Sequence, residues 1–151
     1  VALDAGIAVN ADGADQANMG LALGDYLHTG RFSILITHFS EEYATLFRND
    51  GNLTFSDVSS AAGLGRITSP YVGWGDAFFD FDNDVWPDLI LVNGHVYPQV
   101  DTKDTGTRYR EPKLLFLNQH NGTFRNISDE TGPALEVPQV SRGPSSRRSV
   151  P

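Results

Sequence analysis

A chain of 151 residues, 40% hydrophobic and 11% aromatic, can bury a sizeable core, which excludes wholesale disorder. Its formal charge of −8 understates the acidity of the body: Arg142, Arg147 and Arg148 lie in a tail without acids, so residues 1–140 carry 8 basic against 19 acidic groups, a net −11. Such a body does not bind nucleic acid by counterion release and draws divalent cations instead. The absence of cysteine removes disulfides and thiolate metal sites, and no apolar run approaches the length of about eighteen residues that a membrane span needs. The N-terminal stretch lacks the charged and apolar regions of a secretion signal, so no leader is expected within the chain.

Residues 1–18 are small and polar around Asn10-Ala11-Asp12-Gly13-Ala14-Asp15 and read as a connecting loop. Strand patterns follow at residues 19–26 and 32–37, separated by the turn Leu27-His28-Thr29-Gly30. A third run, Thr45-Leu46-Phe47-Arg48, leads through Asn49-Asp50-Gly51-Asn52 to a fourth at residues 53–58. The same four-strand pattern then recurs. Gly75-Asp76-Ala77-Phe78-Phe79-Asp80-Phe81 answers Gly20-Leu21-Ala22-Leu23-Gly24-Asp25-Tyr26, and Leu89-Ile90-Leu91-Val92 answers Ile34-Leu35-Ile36-Thr37, both at an offset of 55. Leu115-Phe116-Leu117-Asn118 and the Thr123-Phe124 run answer Leu46-Phe47-Arg48-Asn49 and Thr54-Phe55 at an offset of 69. The second copy therefore carries a 14-residue insertion within residues 94–113.

Four short strands repeated at this period predict an all-β chain of two four-stranded propeller blades with long loops, each blade a small twisted sheet that stacks on its neighbours. The predicted organisation is residues 1–18 as a connecting loop, 19–65 as the first blade and 66–132 as the second. Residues 133–151 should open a third repeat and run into an irregular basic tail.

Between the first two strands of the second copy stands Asp80-Phe81-Asp82-Asn83-Asp84-Val85-Trp86-Pro87-Asp88, four carboxylates in nine residues. In a tight turn Asp80, Asp82, Asp84 and Asp88 can converge, with the backbone carbonyl of Trp86 free at offset 7, to make an oxygen cage suited to Ca²⁺. Without a cation the like charges should raise one another's pKa, and the ion is expected to stabilise the turn. An EF-hand is excluded, because Val85 replaces the glycine at offset 6, Leu91 replaces the glutamate at offset 12, and the flanks are strands. The first copy keeps Asp25 but has Leu27, Thr29 and Ser33 in place of the other three acids, so no calcium is expected there.

These residues resemble the FG-GAP or VCBS-type repeats of integrin-alpha-like β-propellers. More narrowly they are similar to bacterial propellers that carry an ASPIC/UnbV-type C-terminal domain and are related to the cartilage acidic protein group. The resemblance spans about residues 4–143. It rests on Asp80-x-Asp82-x-Asp84-x-x-x-Asp88 before an aliphatic strand, on Leu46-Phe47-Arg48-Asn49 and Leu115-Phe116-Leu117-Asn118, and on Tyr71-Val72-Gly73-Trp74-Gly75 and Asn93-Gly94-His95-Val96-Tyr97-Pro98. It implies an extracellular or periplasmic, non-enzymatic, calcium-stabilised module for adhesion or for protein or glycan interaction, with the loop carboxylates as calcium ligands. Family loops usually place glycine where Val85 stands, so this turn is expected to find a conformation that a β-branched residue can adopt.

Other chemistry is poorly supported. His28, His38, His95 and His120 show no metal-ligand spacing and read as turn or packing residues. No nucleophile elbow or phosphate loop is present, so an enzyme is not expected. Trp74, Trp86 and Tyr97 are expected to pack between blades, with a sugar-stacking surface as the alternative. Asn52-Leu53-Thr54, Asn121-Gly122-Thr123 and Asn126-Ile127-Ser128 match the glycosylation sequon, but the first two fall where hairpin turns want Asn and Gly anyway. Two blades do not close a ring of about seven, so the bare outer faces should lead to association with further blades or with other copies of the chain, or to poor folding.

Overall fold

The computed structural model describes residues 1–103, 106–132, 135 and 137–144. The chain is all-β, built from two four-stranded antiparallel sheets. The first holds β1 (Gly20–Gly24), β2 (Ser33–Thr37), β3 (Thr45–Gly51) and β4 (Thr54–Asp57), and the second β5 (Gly73–Phe79), β6 (Asp88–Asn93), β7 (Leu114–Asn118) and β8 (Phe124–Asn126). Strands lie in chain order within each sheet, so every neighbour is reached by a hairpin connection. All eight expected strands are present, and the β6–β7 connection contains the expected insertion. Two short helices were not expected: α1 (Ala2–Ala5) inside the N-terminal loop and α2 (Gly65–Thr68) in the segment joining the sheets.

The two sheets bury one apolar face each against the other. Leu35 and Leu46, cross-strand partners on β2 and β3, meet Leu89, Leu91, Leu114 and Phe116 of the second sheet, with Ala62 and Leu64 of the joining segment filling the same core. Side-chain size varies across this interface because β1 lies directly against β5. The β1 residues facing β5 are small, and a Cβ on Gly24 would come within 2.3 Å of the Phe78 ring. Hydrogen bonds join the sheets at both ends, from Gly73 N to the His38 carbonyl at 2.9 Å and from Asn118 Nδ2 to the Tyr26 carbonyl at 2.9 Å.

The duplication extends to polar side chains. Leu46 N donates to Ser59 Oγ and Leu115 N to Ser128 Oγ, both at 2.9 Å. Asn49 Nδ2 donates to the Phe32 carbonyl and Asn118 Nδ2 to the Pro87 carbonyl, both at 3.0 Å. Ser33 Oγ accepts from Asn49 N at 3.3 Å, where Asp88 Oδ1 accepts from Asn118 N at 2.8 Å. The bonds to Leu46 N, Leu115 N and Asn118 N satisfy buried backbone groups that would otherwise be left unpaired.

The expectation of two bare outer faces holds only in part, because the terminal segments cover some of each. Residues 1–18 pack along the outer half of the first sheet: Ile7, Val9 and Phe47 line one small recess, and Ala11 N donates to Asp57 Oδ2. Phe47 is buried as a result, while Leu21 and Leu23 on β1 remain more than half exposed. On the second sheet, Gly143 and Pro144 lie over Gly75 beside Val92. Gln139 bridges to Glu111, and Ser141 N donates to the Asn93 carbonyl. Residues 145–151, expected to be irregular, lie outside the described residues.

Candidate functional site

The aspartate turn connects β5 to β6, and its closure begins with one carboxylate. Asp80 Oδ1 accepts from Asp84 N at 3.1 Å and Oδ2 from Val85 N at 3.0 Å. Asp25 does the same in the first copy, accepting from Thr29 N at 2.9 Å and Gly30 N at 2.7 Å. The backbones agree as well: His28 and Gly30 have φ of 54° and 76°, Asn83 and Val85 63° and 76°. A single acid therefore closes the turn in the copy where the other three are missing, so closure itself does not require an ion. The expectation about Val85 is overturned. Val85 takes glycine's left-handed conformation, a costly one for a β-branched residue, because the Val85 amide must point back at Asp80.

Of the predicted ligands, Asp80, Asp82 and Asp88 come together, each offering a carboxylate oxygen so that all three atoms lie within 4.8 Å of one another. Asp88 is fully buried, gripped by Phe81 N and Asn118 N at 2.8 Å each, while Asp80 and Asp82 are exposed. Asp84 is not in this group. Its Oδ1 accepts from Trp86 N at 2.8 Å and its Oδ2 pairs with His120 Nε2 at 2.5 Å. The Trp86 ring is stacked between His28 at 4.2 Å and His120 at 4.7 Å, and His28 Nε2 lies 3.2 Å from the Val85 carbonyl. Trp86 thus packs across the sheets as expected, between a turn of each.

Electrostatics divides the acids. Burial raises the pKa of Asp88 despite the bonds from Asn118 and Phe81, and the charges of Asp82 and Asp84 push the same way. Asp84 departs from the expected mutual elevation: the Trp86 amide, opposed by slight desolvation and helped by His120, lowers it. Asp25 is also lowered, since the Thr29 and Gly30 bonds outweigh its desolvation. A cation would therefore meet one acid that burial already disfavours as an anion and two in water.

The His28, Trp86, His120 and Asp84 cluster was not legible as a site, because its members lie as far as 92 positions apart in the chain and share no local pattern. Only the duplication of Asn118 on Asn49 hinted that the β7–β8 turn bears on the aspartates. The other two histidines, His38 and His95, are buried. His38, buried, accepts from Asn18 N at Nδ1 and faces Thr45 Oγ1 at Nε2. Desolvation brings its pKa down to about 4, so the nearby Glu42 makes no ion pair with it at neutral pH. Trp74 donates to the Gly94 carbonyl at 2.6 Å and lies under the Arg142 guanidinium, 4.5 Å from the ring centre. Among the described residues no helix is long and apolar enough to cross a membrane.

The fold and site define an all-β chain of two duplicated four-stranded sheets with an acidic turn on the second. Neither the profiles of known protein families nor the curated proteins contain a match to this chain.

Proposed function

We propose that the chain is a non-enzymatic, calcium-stabilised repeat module, two blades of an integrin-alpha-like FG-GAP or VCBS-type β-propeller, serving protein or glycan interaction in an extracellular or periplasmic setting. The observation that carries this reading is the convergence of Asp80, Asp82 and Asp88 in a turn held between two paired strands. The donor set fits a hard divalent cation, since every side-chain group is a carboxylate oxygen. Asp80, Asp82 and Asp88 would hold it, with the Trp86 carbonyl and, once released from His120, Asp84. The ion would offset the repulsion of the clustered carboxylates and so strengthen a turn that hydrogen bonds already close. The small facing residues of β1 against β5 and the larger ones farther out support a wedge-like stacking of blades.

The test is thermal unfolding with calcium and with chelator, on the wild type and on Asp82→Asn. Asp82 is the informative position because, among the described residues, the one backbone bond it accepts is long, 3.3 Å from Asp84 N. Calcium should raise the wild-type melting temperature with an affinity on the order of 10⁻⁴ to 10⁻³ M. The variant should lose that gain and match the wild type in chelator. Calorimetric titration should give one site, since the first copy offers a single acid. No calcium effect on the wild type would end the calcium reading. A second reading, self-association of blades into an oligomer or fibre, draws on the exposure of Leu21 and Leu23. Light scattering at several concentrations separates it from a monomeric module.

A further inference from the structure

The insertion that distinguishes the second copy builds something at the end of the sheets opposite the aspartate turn. The β1–β2, β5–β6 and β7–β8 turns share one end, which leaves the β2–β3 and β6–β7 connections at the other. There, residues of the insertion and of the β2–β3 loop enclose a groove of about 590 Å³, within the range of small-ligand sites. The insertion is tied down on its own account. A short 3-10 turn, Pro98–Thr102, contains Asp101, whose Oδ1 accepts from Tyr109 N at 2.8 Å, and His95 N donates to the Tyr109 carbonyl at 3.1 Å.

Three features of the groove point to one kind of occupant. Its wall is aromatic: Phe39 meets His95 edge-on at 5.4 Å, His95 meets Tyr97 at 5.9 Å, and the Tyr97 side chain is 63% exposed beside the recess. Thr107 also lines the groove, but its hydroxyl is closed off within the wall and is not presented to an occupant. Glu41 and Lys103 add one acid and one base, neither of them in an ion pair among the described residues, so the lining has no net charge. His95 Nδ1 is occupied by Tyr97 N at 3.1 Å, which places the imidazole proton on Nε2 as a further donor.

We propose that this groove binds a neutral sugar, one or two rings of a glycan, stacked on Tyr97 with its hydroxyls paired to Glu41 and Lys103. A sugar ring combines an apolar face with hydroxyls that both donate and accept, which is what an aromatic wall with mixed polar groups satisfies. The net −11 of residues 1–140 works against sulfated or uronic glycans. The inference deepens the reading of the chain as an interaction module and rests on it, but it does not depend on the calcium turn at the far end.

Amide NMR with a panel of neutral disaccharides (lactose, cellobiose, maltose) tests it, with glycyl-phenylalanine and heparin disaccharide as competing probes, in calcium and in chelator. At least one neutral disaccharide should shift resonances of the groove with a Kd on the order of 1 mM. Tyr97→Ala and Glu41→Ala should each weaken it by about tenfold or more, with amide spectra elsewhere unchanged. The same affinity is expected in calcium and in chelator, and the sugar should be recovered uncleaved. Cleavage would contradict the non-enzymatic reading alone, and sugar binding without calcium binding would contradict the calcium reading alone. Silence of every neutral sugar, binding that survives Tyr97→Ala, or preference for the dipeptide or the anionic sugar would overturn the groove assignment.

Discussion

Asp76 on β5 faces β1 and is 8% exposed, and neither of its carboxylate oxygens has a hydrogen-bond partner among the described residues. Its Oδ1, Thr37 Oγ1 and the Trp74 carbonyl all crowd the point where a Cβ on Gly20 would stand. The Ala22 amide favours the anion without making a bond of ordinary geometry. Desolvation dominates, and the pKa rises from 3.8 to about 7. The folded chain thus holds the Asp76 proton more tightly than the unfolded chain does. Stability associated with this group is full below the unfolded pKa and is lost as pH rises through the folded one. At 1.36 kcal/mol per pH unit the loss approaches about 4 kcal/mol above neutral pH.

Asp76→Asn removes the ionisation and keeps the shape, and its amide can donate to the Trp74 carbonyl or Thr37 Oγ1. The amide must itself be satisfied, so the expected gain is about 2–3 kcal/mol near pH 8, shrinking to about zero near pH 4. Urea unfolding at both pH values, with an unchanged m-value, measures it. Equal effects at the two pH values, or destabilisation at pH 8 alone, would refute a buried, nearly neutral Asp76. Two other buried groups set the background. Glu111, raised by burial from 4.5 to about 7, acts in the same direction as Asp76. His38, depressed to about 4, opposes them, because its contribution is lost as pH falls below the ordinary histidine value.

Val85→Gly should stabilise the chain by about 0.5–1 kcal/mol, the relief of a left-handed β-branched residue less the greater freedom of glycine when unfolded; a loss in urea unfolding would mean that Val85 is not strained. Gly24→Ala should destabilise by about 1–3 kcal/mol, since the methyl group would collide with the Phe78 ring and push β1 from β5; a melting temperature unchanged from wild type would show that the sheets do not meet there. Ser128→Ala should cost about 1–3 kcal/mol by leaving the buried Leu115 amide unpaired, and Ser59→Ala should cost as much through Leu46. Similar losses in the two variants, read by thermal melting, would follow from the duplication, and a neutral result in either would break the equivalence of the sheets.

The strands were legible because each is short, apolar and bounded by turn residues, and because the chain states the pattern twice. The turn carboxylates were legible for a related reason: residues within nine positions are held close by the covalent chain whatever the rest does. Asp80, Asp82 and Asp88 accordingly converge as their spacing suggests. What spacing could not specify is which carboxylates a more distant group would claim. Asp84 is drawn off by His120, 36 positions away, and His120 is there only because the second sheet brings its β5–β6 and β7–β8 turns to one end.

The same holds for burial. Nothing local marks Asp76 as different from the acids of the turn, yet sheet packing leaves it between β1 and β5 with no hydrogen-bond partner among the described residues. Nothing in the polar N-terminal stretch announces that it will cover Phe47, or that the insertion will bring Tyr97 and Lys103 to one groove with Phe39. Alternation and turn chemistry act over a few residues and are written in the chain. The surroundings of a charge or an aromatic ring are set by residues tens of positions away, and they exist only once the sheets have packed.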